Sequence, residues 1–126
     1  MIVDSSALIA ILNQEAEGAE FAQLMEDHER PKVSAVTLLE AAMVAGDTRS
    51  RDLDDLIYRS NTRIMPFDAD QAGMARRAFA KYGRGSGSKA KLNFGDCMTY
   101  ALAKVTGESL LFKGDDFTHT DITPAR

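Results

Sequence analysis

Short apolar runs alternating with amphipathic stretches predict an α/β fold: a three-layer α/β/α sandwich in which helices cover both faces of a central, mostly parallel, twisted sheet. The alternation points to crossover units. No internal repeat or linker divides the chain, so residues 1–126 are expected to form a single domain. Apolar residues make up 44% and charged residues 27%, which excludes a disordered or fibrous architecture. A chain of this size buries roughly two-thirds of its unfolded surface. Its core therefore needs no metal or disulfide, and a metal here would serve chemistry rather than folding.

The elements follow in order. Ile2-Val3 reads as a buried strand ending at Asp4, with a helix through Leu12 whose first amides are capped by Ser5 or Ser6. Phe21, Leu24, Met25 and His28 lie at i, i+3, i+4 and i+7, predicting an amphipathic helix from about Glu17 to Glu29. Pro31 to Ser34 can form a brief strand. Val36, Leu39, Glu40 and Met43 then mark a helix capped near Ser34 and closed at Gly46. Leu53, Leu56 and Ile57 predict a helix over Asp52 to Asn61, and Arg63 to Pro66 a strand. A helix begins at Asp68, Gly83 to Ser88 must be a loop and a mobile excursion within the domain, and a further helix begins at Asp96. Leu110 to Phe112 is a strand, Lys113-Gly114 a turn, and Ile122 belongs to a last short strand.

Fifteen basic against nineteen acidic residues give a net charge of −4. The balance is uneven. No acid lies between Asp70 and Asp96, while Arg76, Arg77, Lys81, Arg84, Lys89 and Lys91 do, so one basic stretch is set against an acidic body. That pattern suits a polyanionic partner. Cys97 is the only cysteine, which excludes an intramolecular disulfide. The Met-Ile-Val-Asp opening has no basic leader, and no apolar run approaches the roughly 20 residues that span a bilayer. A cytoplasmic protein with no membrane partner is expected.

Parallel sheets place their functional crevice beyond the carboxyl ends of the strands. Asp4 ends the first strand, Asp115 and Asp116 follow the strand at Leu110 to Phe112, Glu40 lies in the second turn of a helix that follows a strand, and Asp96 opens the helix after the basic loop. The fold would bring these carboxylates to one edge, where they repel one another and persist ionised only beside a cation. Hard oxygen donors suit Mg²⁺ or Mn²⁺. Each acid also has a structural explanation: Asp96 and Asp4 as helix caps, Asp115-Asp116 as turn residues, and Glu40 as a solvated side chain. Glu40 tips the balance, because Val36 and Met43 share its face and a core-directed face seldom carries an unpaired carboxylate.

The loop from Tyr82 to Lys91 satisfies neither phosphate-binding fingerprint. Ser88 stands where the third glycine of the dinucleotide motif belongs, and Ala90 follows Lys89 where a P-loop has Ser or Thr. What remains is a glycine-rich segment carrying Arg84, Lys89 and Lys91: a solvated loop taken alone, a phosphate-backbone clamp beside a metal site. His28 reads as a packed or half-exposed residue and His119 as a turn residue with a possible metal role. Cys97 reads as a small core residue. No histidine pair or nucleophile elbow is present.

Four blocks together carry a family resemblance: Ile2-Val3-Asp4-Ser5-Ser6-Ala7-Leu8, Ser34 to Glu40, Leu92-Asn93-Phe94-Gly95-Asp96-Cys97, and Leu111-Phe112-Lys113-Gly114-Asp115-Asp116-Phe117. In this order and spacing the whole chain resembles the PIN-domain ribonucleases, and more narrowly the VapC toxins of type II toxin–antitoxin pairs. The resemblance implies that Asp4, Glu40 and Asp96 are metal-site acids and that Ser6 supports the first. Asp115 or Asp116 would supply a fourth, with Asp115 preferred. The sequence departs from the family's Thr-x-Asp-x-Asp-Phe pattern, since Gly114 stands at the earlier acid. Further implications are a metal-dependent endoribonuclease, a homodimer, and a cognate VapB-type antitoxin whose C-terminal segment covers the groove. Arg84, Lys89 and Lys91 would then hold the RNA backbone. Two other functions fit the same residues: a metal-dependent DNA or flap nuclease, and a non-catalytic RNA- or partner-binding module.

Overall fold

A computed structural model describes residues 1–126. Four short strands, β1 (Ile2–Val3), β2 (Lys32–Ser34), β3 (Arg63–Met65) and β4 (Leu110–Leu111), form one sheet in the order β3-β2-β1-β4. Every pairing is parallel, with Ile2 opposite both Lys32 and Leu110, Val3 opposite Leu111, and Val33 opposite Ile64. The expected mostly parallel sheet is therefore entirely so. Six helices, α1 (Ser5–Leu12), α2 (Gly18–Asp27), α3 (Ala35–Ala45), α4 (Ser50–Arg59), α5 (Ala69–Tyr82) and α6 (Phe94–Thr106), surround it.

Because side chains alternate across a strand, neighbouring residues feed opposite layers. Ile2 and Leu110 join a buried cluster with Ala75 and Ala78 of α5 and Tyr100 to Ala103 of α6. Val3, Val33 and Leu111 join a second cluster with Leu8 of α1, Phe21 and Met25 of α2, Ala41 of α3, and Leu53 and Leu56 of α4. Strands apolar on both faces are what a covered parallel sheet requires.

The structure corrects the sequence reading in several places. Asp4, rather than Ser5 or Ser6, caps α1: its carboxylate accepts from the Ser6 N–H at 3.1 Å. α6 starts at Phe94 and is capped by Asn93, with Asp96 as its third residue. The Asn93 side chain accepts from the Asp96 N–H at 2.9 Å while the Asp96 carboxylate accepts from the Asn93 N–H at 3.0 Å, a reciprocal capping box. The core face of α3 is Thr37, Ala41 and Ala45, so Leu39 and Met43 are left 60% and 75% exposed. His28 leaves the apolar stripe of α2 as an exposed C-cap. The last strand reduces to a single bridge between Leu110 and Pro124, although Ile122 packs in the core. The loop after α5 is tied down: Gly83 bridges Leu92, the Leu92 N–H donates to the Tyr82 carbonyl at 2.9 Å, and Ala90 and Leu92 are buried.

Phe21 is fully buried in the cluster beneath α1 and α2. Phe21→Ala is expected to cost about 3–5 kcal/mol in urea denaturation, with an unchanged slope.

Candidate active site

All four strands run the same way, so their carboxyl ends share one edge of the sheet. α6 leads into β4 from the opposite direction, and its N-terminus arrives at that edge. Asp4 follows β1, α3 with Glu40 follows β2, Asp96 lies in the first turn of α6, and Asp115-Asp116 follow β4.

Asp4 is buried and firmly held. One carboxylate oxygen accepts from the Thr99 hydroxyl at 2.7 Å; the other accepts from the Ser6 hydroxyl at 2.6 Å and from the Ser6 N–H. Ser6 accepts in turn from the Lys113 N–H at 3.0 Å, which ties the turn after β4 to the same carboxylate. Thr99 also lies 3.0 Å from the Thr37 hydroxyl, linking α6 to α3. Glu40 accepts from the Ser5 hydroxyl at 2.7 Å, and its other oxygen lies against Gly95 so closely that a Cβ there would overlap it. A side chain at that position would displace the Glu40 carboxylate.

Asp96 is half-buried. Burial, together with the charges of Asp4, Asp116 and Glu40, pushes its carboxyl up to about 6 despite the Asn93 N–H that favours the ionised form. Asp4, Glu40, Asp96 and Asp116 thus share one field. Asp115 lines a hollow with Glu17, Phe112, Lys113 and Arg126. Gly114, with φ at +97°, makes the turn that leads from β4 into these two acids. A left-handed residue is required there, which explains a glycine where the resemblance leads one to expect an acid.

None of these five acids forms an ion pair, although Lys113, the nearest lysine in sequence to the last two, is paired with Glu15 and Glu17. The donor set fits a hard divalent cation. No three His, Cys, Asp or Glu side chains converge tightly enough to hold an ion unaided. Mg²⁺ is commonly held by one or two carboxylates, with waters and substrate phosphate as its other ligands.

Arg84, Lys89 and Lys91 are exposed and unpaired, and Lys91 takes a left-handed φ of +49° just before the cap of α6. Burial and the Asp96 charge push Cys97 up to about 11, consistent with an inert core thiol. His119 stands on a short 3₁₀ turn, exposed, while nearby Asp121 is engaged by Tyr100 and Lys104. Thr99, Thr37 and Asn93 escaped the sequence reading. The available signal was Thr99 one turn after Asp96, a hydroxyl within an otherwise apolar stretch of helix.

A PIN-domain family model matches residues 1–122. Ribonuclease VapC42 of Mycobacterium tuberculosis is 46% identical, over 99% of this chain and 98% of that one. Ribonuclease VapC28 of the same organism is 45% identical over 99% and 97%. Among solved structures, Mycobacterium tuberculosis VapC20, a sarcin–ricin-loop-cleaving toxin, superposes with a TM-score of 0.79 at 17% identity, over 99% of this chain and 98% of that one. A toxin–antitoxin complex from Klebsiella pneumoniae gives 0.70 at 19% identity over 92% and 88%. At these identities the two structures speak for the fold.

A carboxyl whose pKa is higher folded than unfolded binds its proton more tightly in the folded state. Without divalent ions, Asp96 therefore lowers stability progressively as pH rises from 3.8 to about 6, and the loss persists above that. Asp96→Asn should melt at a higher temperature than the unsubstituted protein at pH 7.5 in EDTA, the gap closing towards pH 4. An equal gap at both pH values would contradict the crowding of these charges.

Proposed function

The chain belongs to the PIN-domain family, and within it to the VapC ribonucleases, and from that premise we propose that it is a divalent-metal-dependent endoribonuclease acting as the toxin of a toxin–antitoxin pair. The observation that carries the reading is the pairing of Asp96, which feels the charges of Asp4, Asp116 and Glu40 with none of the four neutralised by a protein cation, with a basic segment bearing Arg84, Lys89 and Lys91. Asp4, Asp96 and Asp116 would hold Mg²⁺ or Mn²⁺, with Asp116 rather than Asp115 as the fourth acid of the set. Bound there, the ion would offset charge on the phosphate and make a water more acidic.

The chain's own side chains have distinct tasks. Ser6 and Thr99 fix the orientation of Asp4, leaving its carboxylate little freedom to turn. Glu40, held by Ser5 at one oxygen, is placed to orient the attacking water and take its proton. The water oxygen forms a bond to phosphorus as the bond to the 3′ oxygen breaks, leaving 5′-phosphate and 3′-hydroxyl ends. Arg84, Lys89 and Lys91 contact the backbone, which contributes affinity without sequence choice.

A VapB-type antitoxin and a homodimer complete the reading. The relatives' names, the Klebsiella toxin–antitoxin complex, and the exposed apolar residues Leu39, Met43 and Val44 on α3 support a protein partner. An arginine on an antitoxin segment would meet the unneutralised acids. No helix is long and apolar enough to cross a membrane; the cytoplasm is the compartment where such a toxin meets its RNA.

Cleavage of total RNA in Mg²⁺ or Mn²⁺, stopped by EDTA and with the ends mapped, tests the reading. Asp4→Asn, Asp96→Asn and Asp116→Asn should each lower kcat by at least about 100-fold (a barrier increase of about 2.7 kcal/mol) while Asp115→Asn stays within a few-fold. Full turnover in both Asp4→Asn and Asp96→Asn would remove the metal mechanism, and equal cleavage of DNA would favour the broader nuclease.

A further inference from the structure

Phe94 is the first residue of α6 and is 74% exposed, although it stands two residues before Asp96 and next to the glycine against which Glu40 packs. It borders two apolar hollows. The first, against α3, includes Val36, Leu39, Met43, Val44 and the Glu40 side chain, with no cation. The second, between α5 and α6, measures about 580 Å³ and is lined by Phe67, Ala72, Arg76, Phe79, Phe94 and Met98 among others. Phe79 is itself 48% exposed. The second hollow thus offers two accessible aromatic rings and a guanidinium. Six of its nine lining residues, Ala72, Ala75, Arg76, Phe79, Ala80 and Phe94, belong to the acid-free stretch between Asp70 and Asp96, which also carries Arg77, Lys81 and the basic loop.

Charge separates the two hollows. A polyanion is repelled from the first, where the only ionisable group is Glu40, and attracted to the second. Unpaired bases stack on aromatic faces while cations track the backbone, and each such stack contributes about 1–3 kcal/mol. We propose that the hollow between α5 and α6 receives an unpaired base of the RNA, stacked on Phe94 and Phe79, and so sets the nucleotide beside the phosphate at the carboxylates. The proposal rests on the ribonuclease reading and deepens it: cleavage falls in single-stranded segments, because a base held in an A-form duplex cannot reach the hollow.

The test uses the full chain as the unsubstituted protein, Phe94→Ala, Phe94→Tyr and, as a second probe of the same hollow, Phe79→Ala. Steady-state cleavage of a single-stranded RNA is measured with binding of the same oligonucleotide by fluorescence anisotropy in EDTA, and sedimentation reports the oligomeric state. Phe94→Ala is expected to raise KM and weaken binding at least about tenfold. Phe94→Tyr should restore both, and an abasic nucleotide next to the cleaved bond should erase the difference between the unsubstituted protein and Phe94→Ala. Unchanged KM and binding in both alanine variants overturn the base pocket while leaving the ribonuclease intact. So does a change in oligomeric state without a change in RNA affinity, which would assign the surface to a protein partner. If the unsubstituted protein neither binds nor cleaves RNA, the ribonuclease reading falls first and the pocket with it.

Discussion

Repulsion among four carboxylates at the carboxyl edge of the sheet is the constraint on which the rest of this structure depends. Asp4, Glu40 and Asp116 act on Asp96 without a lysine or arginine to neutralise them, and their charges add to burial, the larger cause, in raising its pKa. A fold tolerates such crowding only if surrounding donors hold the charged groups in place. Ser6 and Thr99 do so for Asp4, Ser5 for Glu40, and the Asn93 backbone for Asp96. Asp4, Glu40 and Asp96 are thus spaced and aimed by neutral hydrogen-bond donors, which leave their net charge uncompensated.

The same groups also hold the architecture. Asp4 caps α1, and Asp96 closes the capping box of α6, so each acid satisfies orphan amides while facing the site. Structural and chemical accounts of these residues are therefore compatible. Thr99 and Thr37 bridge α6 and α3 beneath the acids, and Ser6 ties the turn after β4 to Asp4. Asp4, Glu40 and Asp96 arrive on separate elements yet are fixed to one frame, as a site that must hold its geometry through turnover requires.

Around this edge the surface divides by charge and polarity. α3 exposes an apolar stripe with no cation, whereas α5, the basic loop and the start of α6 combine positive charge with exposed aromatic rings. The loop keeps its cations exposed because Ala90 and Leu92 anchor its end in the core and Gly83 bridges Leu92.

Periodicity and punctuation in the sequence determined the α/β class, the parallel sheet and the order of its elements, because burial patterns and strand-end positions are local properties. Helix starts were misplaced where two capping groups compete: Asp4 against Ser5 and Ser6, and Asn93 against Asp96. The exposed face of α3 was misread as core, since Val36, Leu39 and Met43 follow a helical period whichever side the sheet lies on. Asp115 and Asp116 stay alternatives in the sequence; in the folded chain the charge of Asp116 reaches Asp96, while Asp115 lines a hollow beside Lys113 and Arg126. Thr99 as a donor to Asp4 and the closeness of Glu40 to Gly95 were also beyond reach, because each joins residues more than fifty positions apart, and only the packing of α3 and α6 against the strands brings them within a hydrogen bond or a missing side chain of one another.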